Sequence, residues 1–321
     1  MIDRFTLSFR LYRKNIFQLS LFLGTVIPIA FLGIPHLHPS GTEPFKHFLL
    51  FTAIAHVPAT ACFYTCKEFR EILIQNKLIY FTAPVALFFA SGVIFVFSPQ
   101  IKPFLLLFYW GWQSYHYGKQ NIGVYSFISY AQNKAASVFE RKAIHLSALT
   151  GILPIWKILG LQIAPQWLHS FINLSYVAGY FILAATCFLG GYILWSKRSR
   201  FTFVKAIFFI LCVLFFVPAY LPGDILTTFL SYATAHAVQY IVFMAAVAEG
   251  ANVLRSMCSL LLCLLLGGLI FVYLPNQIDF LAGGLLGMTM AHFVIDAHAW
   301  KLSQPNQKKF ILSRFGFLMN K

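Results

Sequence analysis

Apolar segments of about twenty residues recur along the whole chain, and they restrict its fold more than any other feature of the sequence. Of the 321 residues, 59% are hydrophobic and only 10% are charged. Only helices and closed barrels can satisfy every backbone polar group inside lipid, and runs of this length are typical of helices. We therefore predict an all-α, polytopic transmembrane helix bundle that forms one integral-membrane domain over residues 1–321.

Hydrophobicity along the sequence predicts ten membrane spans, each with boundaries uncertain by about 2–4 residues. The fourth span either ends near Gly118 or continues to about Tyr130, because the residues between them are still mostly apolar or aromatic. The predicted spans cover residues 16–34, 45–65, 79–98, 103–118, 143–163, 171–195, 203–221, 223–247, 255–274 and 279–300.

The basic residues are distributed very unevenly between the two sides of this predicted bundle. With the N-terminus inside, only three of the 24 Lys and Arg residues fall on the outer side, namely Lys46, Lys102 and Lys157. The positive-inside rule then predicts that both termini are cytoplasmic, with residues 1–15 and 302–321 as basic or interfacial tails. Orientation and contact with anionic membrane lipids explain the net charge of +15. We expect an integral protein of a bacterial inner membrane, with no nucleic-acid partner.

Histidine is the most informative polar residue, since the chain has ten histidines and only nine carboxylates. At a rise of about 1.5 Å per residue, several of them lie well below the inner face of the membrane. Histidines from five different spans can therefore converge in one cavity of the inner leaflet. Those in the inner half of the predicted bundle are His56, His116, His145, His236, His292 and His298.

Several of these histidines have a hydrogen-bonding residue three or four positions along the same helix. His292, Asp296 and Trp300 follow one another at intervals of one helical turn. A partner at this spacing can fix the tautomer and the orientation of an imidazole. The same pattern pairs His116 with Gln120 and His236 with Gln239 and Tyr240. In the second span, Pro58 follows His56 closely and predicts a break that makes room for a ligand.

Buried histidines at a similar depth, with an aspartate among them, favour a shared metal ion over separate burial. The candidate ligands are His56, His116, His236, His292 and His298. Asp296 is a further ligand or the orienting partner of a ligand histidine, and Asp296 and Tyr240 are the catalytic candidates. The residues expected to orient the ligands through hydrogen bonds are Gln120, Gln239 and His145. Aromatic residues expected to line the substrate entry are Trp112, Tyr115 and Trp300.

Histidines with one carboxylate and open coordination positions are typical of non-haem iron oxygenases. We therefore expect an integral-membrane, metal-dependent oxidoreductase that acts on a lipid-soluble substrate, with non-haem iron as its cofactor and an electron donor as a possible partner. Zinc and haem are the alternative cofactors. The HExxH motif of zinc proteases and the histidine boxes HxxxH and HxxHH of membrane desaturases are absent.

Two resemblances accompany these residues. The lone histidines on separate helices resemble the Brp/Blh-type carotene dioxygenases, whose histidines hold an iron, and this implies a bound iron here. The strings WQSYHYGKQNIG, HAVQY and HFVIDAHAWK are similar to patterns in uncharacterised multipass bacterial membrane proteins. That second resemblance covers three of the ten predicted spans and implies no particular chemistry.

Three other functions remain open at the level of sequence. Paired histidines on two helices could hold a haem for electron transfer. A proton-coupled transporter could relay protons through His236, His292, Asp296 and Glu249. A structural scaffold would use the same histidines only for hydrogen bonds between helices.

Overall fold

The computed structural model describes residues 4–32, 43–221, 225–248, 258, 260–267, 269 and 278–318. All regular secondary structure within these residues is helical. The α-helices are α1 (Arg4–Leu32), α2 (Glu43–Ala59), α3 (Cys62–Thr65), α4 (Arg70–Gln75), α5 (Ala83–Phe97), α6 (Lys102–Ala131), α7 (Val138–Ile155), α8 (Leu161–Ile163), α9 (His169–Ser196), α10 (Phe203–Val213), α11 (Ile225–Ala248), α12 (Asp279–Ala299) and α13 (Pro305–Arg314). Short 3-10 turns occur at Lys67–Phe69, Gln166–Leu168, Arg198–Arg200, Val217–Tyr220 and Gly316–Leu318, and π-helical turns at Leu78–Thr82, Trp156–Gly160 and Cys263–Gly267.

The helices confirm the predicted class and identify an integral membrane protein. Among the described residues, five helical segments are long and apolar enough to cross a membrane: Leu78–Phe97, Gln166–Ser196, Phe203–Tyr220, Thr228–Ala248 and Asp279–Ala299. The helix at the fourth predicted span, α6, continues without a break to Ala131, and whether the span itself extends that far stays a prediction. Half of the predicted ninth span, 255–274, lies outside the described residues, and Glu249 lies outside them too. The count of ten spans stays a prediction.

The chain divides into two compact units, each assembled from separate stretches of sequence. Unit 1 contains Met1–Lys46, Pro103–Gln239 and Phe317–Lys321, and unit 2 contains His47–Lys102 and Tyr240–Gly316. The division falls inside α11, between Gln239 and Tyr240.

In unit 2, glycines allow α5 and α12 to pack closely together. A Cβ atom added at Gly287 would overlap the backbone carbonyl of Leu87, and one added at Gly283 would overlap that of Ser91. Small residues four positions apart are a common device for close helix packing in membranes, where backbones approach and dispersion contacts increase. This packing fixes α12, which carries His292 and Asp296.

The tail helix α13 packs on unit 2 through its apolar side. Phe310 is buried, and its ring lies 4.9 Å from that of Phe69. Phe315, just after α13, is also fully buried. At the C-terminal end of the helix, Arg314 donates to Glu68 Oε2 at 2.7 Å. Phe310 and Phe315 therefore pack against protein, and the interfacial position of the tail at the membrane stays a prediction.

Unit 1 contains a buried ion pair between α7 and α10. Lys205 Nζ lies 3.0 Å from Glu140 Oε2, and both side chains are completely buried. The same carboxylate accepts hydrogen bonds from Tyr125 OH at 2.7 Å and from the backbone N–H of Ser137 at 3.0 Å. Burial alone would raise the pKa of Glu140, but these hydrogen bonds and the Lys205 ammonium outweigh it, so the pKa lies below its ordinary value.

Candidate metal centre

A break after α2 shapes the candidate centre in unit 2. Pro58 has no N–H and cannot donate to the carbonyl of residue 54, so the regular helix ends at Ala59. The chain then turns, with Thr60 N–H donating to Val57 O and Ala61 N–H donating to Pro58 O. The turn places the Thr60 hydroxyl beside side chains from α11 and α12.

Four side chains in unit 2 form a continuous hydrogen-bonded chain. Tyr240 OH donates to Asp296 Oδ1 at 2.9 Å. The Thr60 hydroxyl lies 2.9 Å from Tyr240 OH and 2.6 Å from Nδ1 of His292. Thr60 therefore connects the end of α2 to both other helices.

Proton counting along this chain assigns the tautomer of His292. When Asp296 is ionised it can only accept, so the single proton of Tyr240 goes to the carboxylate. Tyr240 then accepts the Thr60 proton, and Thr60 accepts from Nδ1–H of His292. A neutral His292 consequently carries its lone pair on Nε2, which lies 3.9 Å from Asp296 Oδ2.

His56 is held in the same tautomer by the backbone. Its Nδ1 lies 2.6 Å from the carbonyl oxygen of Ala53, which can only accept, so Nδ1 carries the proton and Nε2 the lone pair. The ring centroids of His56 and His292 are 5.0 Å apart, at an interplanar angle of 77°. A possible ligand nitrogen of His56 and one of His292 lie within 4.8 Å of each other.

Hydrogen bonds also orient the carboxylate of Asp296. Its Oδ1 accepts hydrogen bonds from Tyr240 OH and, at 3.3 Å, from Trp300 Nε1. This arrangement turns Oδ2 towards His292. His56, His292 and Asp296 are all at least 95% buried, where an ionised carboxylate is costly unless a cation or strong donors accompany it.

A cavity of about 440 Å³ adjoins this cluster. Thr60 and His292 form part of its wall, and the rest of the wall is mostly aliphatic. Trp300, which we expected to line the substrate entry, is not on this wall. Its indole instead donates to Asp296 and packs against Phe63 and Phe243.

Unit 1 holds two more of the predicted ligands, His116 and His236, in a polar cluster of its own. Their ring centroids are 4.9 Å apart, and Tyr117 packs on His236 at 4.2 Å. Gln120 donates to the backbone carbonyl of His236 at 2.8 Å and to Gln239 Oε1 at 3.0 Å. Unit 1 thus brings His116 and His236 together, and a single ion shared by the five candidate histidines stays a prediction.

The remaining predicted residues have other surroundings. His298 faces Tyr80, whose hydroxyl lies 2.9 Å from His298 Nδ1, and it is rotated about 120° around α12 from His292. In unit 1, His145 packs edge-on against Tyr115 at 5.6 Å. Trp112 packs against Phe108 at 5.5 Å.

Thr60 is the functional candidate that the sequence did not reveal. Its one signal is its position four residues after His56 and two after Pro58. A threonine there would ordinarily return its hydroxyl to the preceding helical turn, whereas the break after α2 directs it to His292 and Tyr240.

The chain was compared with family models, curated proteins and solved structures. No family model, no curated protein and no solved structure matches the chain.

Proposed function

We propose that unit 2 binds a transition metal, most readily ferrous iron, through His56, His292 and Asp296. In this proposal the protein is an integral-membrane oxidoreductase that uses the metal and dioxygen to oxidise a lipid-soluble substrate in the adjoining cavity. Two imidazoles and one carboxylate with open positions are the donor set of non-haem iron oxygenases. The positive-inside distribution supports a bundle of ten spans in a bacterial inner membrane, with both termini cytoplasmic.

One observation carries the proposal: both histidines are hydrogen-bonded at Nδ1, which leaves each neutral ring with its lone pair on Nε2. His56 donates to a backbone carbonyl, and His292 is held by Thr60. Such outer hydrogen bonds are the usual means by which proteins orient histidine ligands and raise their basicity.

The distance between two of these donors suits an ion of ordinary size. Nitrogen and oxygen donors lie about 2.0–2.2 Å from zinc, so two donors on the same ion are separated by at most about 4.4 Å. The 3.9 Å between His292 Nε2 and Asp296 Oδ2 falls within this limit. Zinc would accept the same donors, but the expected redox chemistry requires a metal that changes its oxidation state.

The protein's own groups would have three tasks in such a reaction. His56, His292 and Asp296 would hold the metal, which supplies dioxygen activation when bound. Thr60 would keep the proton of His292 on Nδ1, and Tyr240 would keep its own phenolic proton directed at Asp296. The apolar cavity wall would exclude water. Insertion of both oxygen atoms into the substrate would need no external electrons, and insertion of one would need a donor of two electrons.

Metal analysis of the purified full-length protein tests this proposal. We expect about one equivalent of iron per chain after loading, as one site implies, and loss of the metal in His56→Ala and His292→Ala. His169→Ala is the matched control. The hydrogen bond described for His169 joins it to the carbonyl of Ala164, five positions earlier in the chain. Less than about a tenth of an equivalent in the parent protein, or equal retention by all three variants, would overturn the proposal.

The same hydrogen-bonded chain favours a second candidate, a proton-coupled carrier. His292, Thr60, Tyr240 and Asp296 form a connected route along which protons could move. Proton-dependent transport in liposomes by protein that contains no metal would favour this function. A Soret band in the absorption spectrum would instead indicate haem.

A further inference from the structure

We propose that the cavity of unit 2 binds the hydrocarbon tail of a lipid-soluble molecule, tail end first, with the polar head outside. The inference deepens the proposed function, on which it rests for the chemistry that follows binding. Binding itself can be measured without a metal.

The cavity exists because two segments meet at the break after α2. Pro58 lies on the wall, and a Cβ atom added at Gly267 would overlap its ring. Glycine at 267 therefore lets the π-helical turn Cys263–Gly267 close against the proline. Opposite, α12 contributes Met288, Ala291 and Ile295.

The wall offers almost nothing to a charged or polar head group. Its polar side chains among the described residues are Thr60, Tyr64 and His292, and it includes no Asp, Glu, Lys or Arg. The hydroxyl of Thr60 is engaged with His292 and Tyr240, and Tyr64 donates to the carbonyl of Tyr80. A carboxylate or phosphate placed here would lose its hydration without a compensating partner, at a cost of several kcal/mol. An alkyl chain loses nothing.

The surroundings of the cavity also favour hydrocarbon. Leu262 and Leu266 are on the wall and remain 58% and 51% exposed. In an integral membrane protein, exposed leucines are typical of a surface that faces acyl chains. A ligand that arrives by this side comes from the apolar phase of the membrane, and its head group can stay outside.

The volume limits the length of chain that enters. Water occupies about 30 Å³ in the liquid, and a methylene group is of similar size. The 440 Å³ cavity therefore accommodates roughly 10 to 15 carbon atoms. Because His292 lies on the wall, the carbon presented to the candidate metal belongs to the tail and not to the head.

Photo-crosslinking of the full-length protein in nanodiscs tests the orientation of the chain. One fatty-acid probe carries a diazirine at its terminal carbon, and a second carries it next to the carboxylate. A phospholipid probe with a terminal diazirine distinguishes a resident membrane lipid from a free fatty acid. Labelled residues are located by mass spectrometry, and either source of terminal label supports the proposal.

We expect the terminal diazirine to label the wall segments around Leu266 and Met288, and the carboxylate-proximal one not to. Filling the cavity with Ala61→Phe or Ala291→Leu should reduce terminal labelling about ten-fold, since the added groups occupy the space of the ligand. Ala90→Phe, on the exposed side of α5 and away from the wall, should leave it unchanged.

Equal labelling by both fatty-acid probes, or labelling that survives both cavity-filling variants, would overturn the inference. Metal content is measured on the same samples. Bound metal without tail-first labelling contradicts this inference alone. Tail-first labelling in a protein that binds no metal supports it and contradicts the proposed function.

Discussion

Thr60 Oγ1 lies 2.6 Å from Nδ1 of His292, although 232 positions separate the two residues in sequence. Through this hydrogen bond, the break after α2 controls which nitrogen of His292 carries its lone pair. The candidate centre therefore depends on a residue that cannot itself bind the metal well.

Replacement of Thr60 tests this dependence. Thr60→Val keeps the shape of the side chain but removes the acceptor for Nδ1–H of His292, so we expect metal affinity to fall about 10–100-fold. Thr60→Ser keeps the hydroxyl and should stay close to the parent. Titration of each purified protein with Co²⁺, followed by absorption, measures the affinities. An unchanged affinity in Thr60→Val would show that the hydrogen bond does not orient the ligand.

The phenol of Tyr240 should act on the metal through Asp296. Tyr240→Phe removes the 2.9 Å hydrogen bond to Oδ1 and leaves Trp300 as the remaining donor described for that atom. We expect about a 10-fold loss of metal affinity, since an outer partner of a carboxylate ligand is lost. Tyr192→Phe, at an exposed position of α9, is the control. Equal affinities in the two variants would contradict the orienting role.

Close packing of α5 against α12 should make glycine essential at 287. Gly287→Ala places a methyl group against the backbone of Leu87, and we expect it to destabilise the protein by about 1–3 kcal/mol. Gly191→Ala is a matched control in α9, where an added Cβ has no atom within 4 Å among the described residues. There the helix propensity of alanine should make the effect neutral or stabilising, by up to about 1 kcal/mol. Unfolding in mixed detergent micelles compares the two, and effects of the same sign and size would refute the packing argument.

The buried Glu140 should give the protein a characteristic loss of stability in acid. Its pKa is lowered in the folded state, so its contribution is complete above the ordinary carboxyl pKa of about 4.3 and disappears as the pH falls through the folded value. Glu140→Gln leaves the Lys205 ammonium buried beside a neutral amide, which should cost about 3–5 kcal/mol at neutral pH. The variant should also lack this part of the acid dependence. Parallel stability curves for parent and variant between pH 7 and about pH 3 would contradict the assignment.

The helical period was sufficient to predict part of the centre. His292, Asp296 and Trp300 were placed on one face from their spacing alone, and Trp300 Nε1 does donate to Asp296 Oδ1. Helical class and membrane insertion were likewise predictable, because apolar runs near 20 residues have few other solutions.

Contacts between distant segments could not be predicted in this way. The hydrogen bond from His292 to Thr60 depends on how α12 packs, and that packing depends on glycines 283 and 287 meeting the backbone of α5. Residues 302–321 are predicted to be a basic or interfacial tail, but apolar and basic residues in one helix suit a protein aromatic cluster as well as a lipid surface. Phe310 and Phe69 are far apart in sequence, and only the folded structure brings their rings together.

Anomalous diffraction at the iron edge, from crystals of the iron-loaded full-length protein, tests the central claim most directly. We predict one strong peak within about 2.0–2.3 Å of Nε2 of His56, Nε2 of His292 and Oδ2 of Asp296. A peak elsewhere, or full iron occupancy with none of these three atoms as a ligand, would contradict it.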